Sequence, residues 1–191
     1  VSSTYALETR SNFSADVRFD GKKVEGYAAV YNSWSEDLGG FIESIVPGAF
    51  ERTLKSSIDI RCLFDHNSSK VLGRASAKTL RVYSDSKGLG FENLLGNTTH
   101  ANDVREMLSR GDINQCSFGF TLDWEGGGDE WLPPENAHAP CRRVLRSVNL
   151  YEVSVVTFPA YPETSAALRS RAMSKGRMYR SVLAALALPR R

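Results

Sequence analysis

Residues Asn114 to Phe120 read NQCSFGF, and the assignment of this short run decides how the rest of the chain is organised. Cys116, Phe118 and Phe120 recur at every second position, the period of a β-strand with one buried face. Alternation places those three toward the core and turns Ser117 and Gly119 to the opposite side. Just upstream, TTHANDVREMLSRGD has the clearest helical period in the sequence. Val104, Met107 and Leu108 make its apolar stripe, Thr99 stands at the capping position and Gly111 where a helix stops. A helix that runs directly into a strand makes this region a mixed α and β unit.

Reading outward, strands dominate. The first dozen residues lack a sustained period and read as a loose arm over residues 1–12. FSADVRF and VEGYAAVYN are strand-like, with Asp20-Gly21 as the turn between them. SWSEDLGGF is a polar loop, and Pro47 opens a short helix, PGAFERTLKS, whose Phe50 and Leu54 face the core. SIDIRCLFDH is a strand with Ile58, Ile60, Cys62 and Phe64 on one face. KTLRVYSD and GLGFENLL form a second hairpin around Ser86-Lys87-Gly88. Beyond the central strand, EGGGDEWLPPENAHAP reads as a loop. CRRVLRSVNLYEVSVVTF is a strand pair or one bent strand, and a terminal helix is predicted from Met178 to Leu188. Many strands with few interspersed helices predict an α+β fold, an antiparallel sheet or barrel and not a doubly wound parallel sheet.

The bulk numbers agree with one domain. A chain of 191 residues, 41% hydrophobic and 24% charged, can bury a sizeable core and has an ordinary globular composition. No apolar run approaches the ~18 residues of a membrane span, and the start VSSTYALETR lacks the features of a secretory signal. A cytosolic protein, or one whose signal has been removed, is expected. Three scattered cysteines, Cys62, Cys116 and Cys141, make a poor disulfide framework. Cys62 and His66 lie close in sequence, but no CxxC, HExxH or HxH pattern accompanies them, so neither metal nor cofactor is expected. The net charge of +2 is uneven. From Thr164 onward there are seven Lys or Arg and no acid, leaving 17 bases against 22 acids before it. The body is mildly acidic and the end a basic tail, which without interleaved aromatics is weak grounds for nucleic-acid binding.

Ser117 is either a serine on a polar strand face or a nucleophile. Beside it, Gly119 leaves room for another backbone to approach. A serine hydroxyl needs a base within hydrogen-bonding reach, and histidine suits neutral pH. Of the three histidines, His138 falls in the Gly/Pro-rich loop and His100 in the first turn of a helix, whose dipole disfavours a protonated ring. His66 ends an apolar strand in LFDHN, where a sheet can aim it. An imidazole base also needs an acceptor for its other nitrogen. Glu152, within the apolar run LYEVSVVTF, can be that acid or can face water together with Ser154. Periodicity leaves both open.

GYAAVYN, ESIVPGAF, LFDHNSSKVLGR, TLRVYSDSKGLGFE, DVREMLSRGDINQCSFGF and LYEVSVVTFPAYPET occur in that order. Together, from about Gly26 to Thr164, they resemble the HK97-type prohead protease family of tailed bacteriophages. The resemblance implies a serine endopeptidase with an assemblin-like fold, a mostly antiparallel barrel wrapped by a few helices. It implies a protease domain over residues 13–165, flanked by the arm and by a basic tail, residues 166–191, that self-cleavage can remove. It implies action in the host cytoplasm, inside the immature capsid. The substrates would be scaffold, the scaffolding region of the major capsid protein and the enzyme itself, with a homodimer by analogy. In the family's Asn-His-Asp-like block the histidine matches His66, here within Asp65-His66-Asn67. In its Met-Ser-Phe-Gly-Phe-like block the serine matches Ser117, with Cys116 in place of methionine, and the acid of its Glu-Val-Ser strand matches Glu152. The exchanged neighbours of His66 leave Asp65 and Glu152 as rival orienting acids. Arg74, Arg142 or amides near Gly119 are candidates for stabilising an oxyanion. Two rival functions stand beside this one: a non-catalytic assembly protein working through its basic tail, and a cysteine peptidase using Cys116.

Overall fold

A computed structural model describes residues 7–11, 17–136, 138–158, 174–179 and 181 of the chain. Among the described residues, twelve strands are distributed over three sheets. The first sheet holds Glu8–Ser11 (β1), Gln115–Leu122 (β9), Val148–Val156 (β12), Arg61–Phe64 (β5) and Asn67–Arg74 (β6), in that spatial order. The second aligns Asp129–Leu132 (β10), Cys141–Leu145 (β11) and Phe41–Ile45 (β4). The third aligns Arg18–Phe19 (β2), Lys23–Val30 (β3), Gly88–Leu94 (β8) and Leu80–Ser84 (β7). Most neighbours are antiparallel; β11 with β4 and β12 with β5 are parallel. Each described sheet is an open row of strands. The α+β, strand-rich, antiparallel-dominated class is as the sequence predicts.

The central strand behaves as its period requires. Cys116, Phe118 and Phe120 are buried in the main core, where Phe118 stacks on Phe120 at 5.2 Å and meets Phe50 edge-on at 5.5 Å. Burying aromatic side chains of this size is worth roughly 1.5–3 kcal/mol each, so this strand is a main anchor of the core. Helix α1, Glu51–Lys55, is shorter than the sequence suggests, with Pro47 in the turn before it. Thr53 locks it to β12 by donating to the Val148 carbonyl (2.8 Å) and accepting from the Leu150 amide (3.1 Å). Helix α2, Thr99–Arg110, buries Val104 and ends at Gly111 with φ 78°, a left-handed residue that glycine adopts without strain. Its cap is Thr98, which accepts from the Ala101 amide; Thr99 is already the first helical residue.

Other boundaries also move. Glu8–Ser11, within the expected loose arm, is a paired strand, because the β9 edge and buried ionic partners provide what a local period does not. The expected loop EGGGDEWLPPENAHAP contains β10, which pairs with β11 through Trp131 and Arg143. The run CRRVLRSVNLYEVSVVTF is two strands in two different sheets. Residues 174–179 are helical; most of the predicted Met178–Leu188 helix lies outside the described residues, as do residues 12–16. Among the described residues no helix is long and apolar enough to cross a membrane.

Candidate active site

Strand register assembles the candidate residues before any side chain is considered. Antiparallel β9 and β12 place Ser117 opposite Ser154, and Gly119 opposite Glu152. Directly opposed residues project to the same side of a sheet, so Ser117, Ser154 and Glu152 share one face, away from Cys116, Phe118 and Val153. Glu152 reaches that face because the register slips between Leu150 and Glu152, leaving Tyr151 as a bulge. Leu150 is thereby buried in the core opposite Phe120, while Glu152, only two residues later, lies on the other side. Bulges re-aim side chains in this way beside functional sites. Gly119 gives the carboxylate its room: a Cβ there would lie 2.3 Å from Glu152 Oε1.

His66 arrives from the neighbouring hairpin. Between β5 and β6 the loop is two residues, Asp65 and His66, with φ of 50° and 55°. Two left-handed residues in a two-residue hairpin are the pattern of a type I′ turn; Asp and His adopt this region more readily than most residues. Asp65 holds the turn in place. Its amide donates to the Val155 carbonyl at 3.0 Å, and its carboxylate accepts from the Thr157 amide and hydroxyl at 2.7 and 2.9 Å. The His66 amide donates to Ser154 Oγ at 3.3 Å.

The imidazole pairs with Glu152, not with Asp65. Nδ1 lies 2.6 Å from Glu152 Oε1, and Ser154 Oγ donates to Oε2 at 2.5 Å. Nδ1–H bonded to a buried carboxylate leaves Nε2 as the basic nitrogen. Nε2 is buried without a hydrogen-bond partner. Ser117 lies on the same sheet face, yet its hydroxyl donates to the Arg10 carbonyl on β1 at 2.7 Å. Ser117 and Ser154 are fully buried and Glu152 is 5% exposed, whereas the His66 side chain is 23% exposed. His66 is thus the member of this cluster that solvent reaches most, through atoms other than Nε2.

The remaining candidates lie elsewhere. His100 Nε2 is 2.9 Å from the Val71 carbonyl on the surface, and His138 is exposed in the loop before β11. Arg74 pairs with Asp59, and Arg142 with Glu135. Cys116 faces the core and donates to the Tyr27 carbonyl; burial pushes its thiol up to about 12, the reverse of what a thiolate nucleophile needs. Cys62 is buried in the main core, and burial raises its thiol as well, with the Glu152 charge adding to the effect. Sequence reasoning did not assign roles to Ser154, to Thr157 or to the Arg10 carbonyl. The Ser154 signal is visible in retrospect as a second polar residue in phase with Glu152. Nothing local marks Arg10.

Compared with curated proteins and with solved structures, the chain matches none. The sequence profile of one family does match, over residues 7–178, which include β1, the His66 turn, β9 and β12. On that match, which spans most of its length, the chain belongs to the caudovirus prohead serine protease family.

Proposed function

We propose that the chain is a serine endopeptidase of capsid maturation in which Ser117 is the nucleophile, His66 the general base and Glu152 the acid that orients it. The observation that carries this reading is the 2.6 Å contact of His66 Nδ1 with Glu152 Oε1 on the sheet face that also bears Ser117. For reaction the Ser117 hydroxyl turns from the Arg10 carbonyl toward Nε2. Oγ attacks the scissile carbonyl as its proton passes to Nε2, while Glu152 steadies the imidazolium. The C–N bond then breaks, Nε2 returns the proton to the leaving amine, and water activated by the same imidazole releases the acyl group.

The substrates in this reading are scaffold, the scaffolding region of the major capsid protein, and the enzyme's own terminal segments, cut inside the immature capsid. The wider expectation of an assemblin-like barrel fits the way β9 of the first sheet meets β3 of the third, where Cys116 donates to the Tyr27 carbonyl. Co-expression with a capsid precursor tests the assignment. Ser117→Ala should keep the fold and abolish processing, and labelling by a fluorophosphonate should be lost with it. Continued processing by Ser117→Ala would remove Ser117 from the mechanism. A folded wild type that neither labels nor cleaves would favour a non-catalytic assembly protein.

A further inference from the structure

We propose that Ser154 is a positioning residue that sets both the tautomer and the aim of His66, an inference that rests on the Ser117–His66–Glu152 reading. Ser154 is fully buried and lies directly opposite Ser117. Its hydroxyl has one proton and two lone pairs, and the structure uses them in a specific order. The proton goes to Glu152 Oε2 at 2.5 Å, and a lone pair receives the His66 amide at 3.3 Å.

The consequence follows from the geometry of a carboxylate. Both oxygens accept equally well, so a carboxylate held by one oxygen is free to swing about its last torsion. With Oε2 taken by Ser154, Oε1 is left for Nδ1, and the strongest acceptor near the ring fixes the proton on Nδ1. The same hydroxyl holds the backbone of His66 and so sets where the ring begins. One side chain therefore links the acid and the base. A serine that merely satisfied a buried carboxylate would affect stability without affecting which ring nitrogen carries the proton.

The test uses the full chain with Ser154→Ala, Ser154→Thr and Ser154→Cys. Two quantities are read: the fluorophosphonate labelling rate of Ser117, and the imidazole tautomer from nitrogen-to-ring-proton correlation spectra. Ser154→Ala should slow labelling about 10- to 100-fold, by analogy with the loss of a hydrogen-bond partner that orients a metal-ligating histidine or carboxylate, and should lower the Nδ1–H population. Ser154→Thr, which keeps the hydroxyl, should recover the larger part of both. Should Ser154→Ala fail to fold, Ser154→Cys carries the test: a near-isosteric but weak donor, it should label more slowly than wild type. Wild-type labelling and tautomer in a folded Ala or Cys variant overturn the inference. Absence of Ser117-dependent labelling in the wild type overturns the underlying reading instead, so the two failures are distinguishable.

Discussion

At Gly119 the missing side chain does chemical work. An added Cβ would meet Glu152 Oε1 at 2.3 Å, Cδ at 3.0 Å and Cγ at 3.1 Å. The clash cannot be relieved by swinging the carboxylate aside, because His66 and Ser154 hold both of its oxygens. Gly119→Ala should therefore push Glu152 off His66. Overpacking of this kind costs roughly 1–3 kcal/mol, so a melting temperature a few degrees lower is expected, with Ser117 labelling reduced tenfold or more. A variant that labels at the wild-type rate would show that the carboxylate has freedom the packing denies it. From sequence the glycine was legible as a place of close approach. What approaches was not, since Glu152 and Gly119 lie 33 positions apart and meet only through strand register.

The elements show why periodicity stopped short of the site. Strict alternation puts Leu150, Glu152 and Ser154 on one face of β12, which sets an apolar leucine against two polar groups and leaves the buried side undecided. The bulge at Tyr151 resolves the conflict by inserting one residue, so that Leu150 joins the core and Glu152 the polar face. Alternation was legible in β9, where no bulge intervenes, and that is why Ser117 and Cys116 were assigned to opposite faces correctly. Strand β10 was hidden for a related reason: Gly and Pro on both sides read as loop, while pairing to β11 is a tertiary choice. Deleting Tyr151 should be far more damaging than truncating it. Without the extra residue, one side of the break must present its side chains to the wrong face. The deletion is expected to lose Ser117 labelling and to melt well below wild type. Tyr151→Ala keeps the bulge, and because the residue is 42% exposed it should fold and label nearly as well as the parent. Equal behaviour of the two variants would discount the bulge as the feature that aims Glu152.

At the scale of the molecule, strand β1, whose Arg10 carbonyl accepts the Ser117 hydroxyl, is held by charge. Between the first and second sheets lies a buried ionic network of Glu8, Arg10, Glu43, Asp129 and Arg143, contributed by β1, β4, β10 and β11. Arg143, fully buried, reaches Glu8 at 2.7 Å and Glu43 and Asp129 at 2.8 Å each; Arg10 reaches Glu43 at 2.8 Å and Glu8 at 2.6 Å. Two of the five residues lie in β1, so the network fixes the strand whose Arg10 carbonyl accepts the Ser117 hydroxyl. No local window of sequence contains this arrangement, and β1 consequently read as part of a loose arm. Removing or neutralising one member of a buried charge cluster typically costs about 3–5 kcal/mol, because its partners are left buried without their counter-charge. Acid should loosen it. Burial works to raise the Glu8 carboxyl, but the hydrogen bonds and charges of Arg143 and Arg10 hold it below its ordinary value. A carboxyl lowered by folding stabilises the native state fully above its unfolded pKa, about 4.3, and that contribution is lost as pH falls through the lowered native value. Amide hydrogen exchange across residues 8–11, corrected for the intrinsic pH dependence, should therefore accelerate as pH drops below about 4. It should do so before the amides of β9 and β12 lose protection. Glu8→Gln should weaken β1 at neutral pH and flatten this pH response, because a neutral amide has no proton to gain. Protection of residues 8–11 that stays constant down to global unfolding would mean that the strand is held by its backbone ladder to β9 and not by the Glu8 charge.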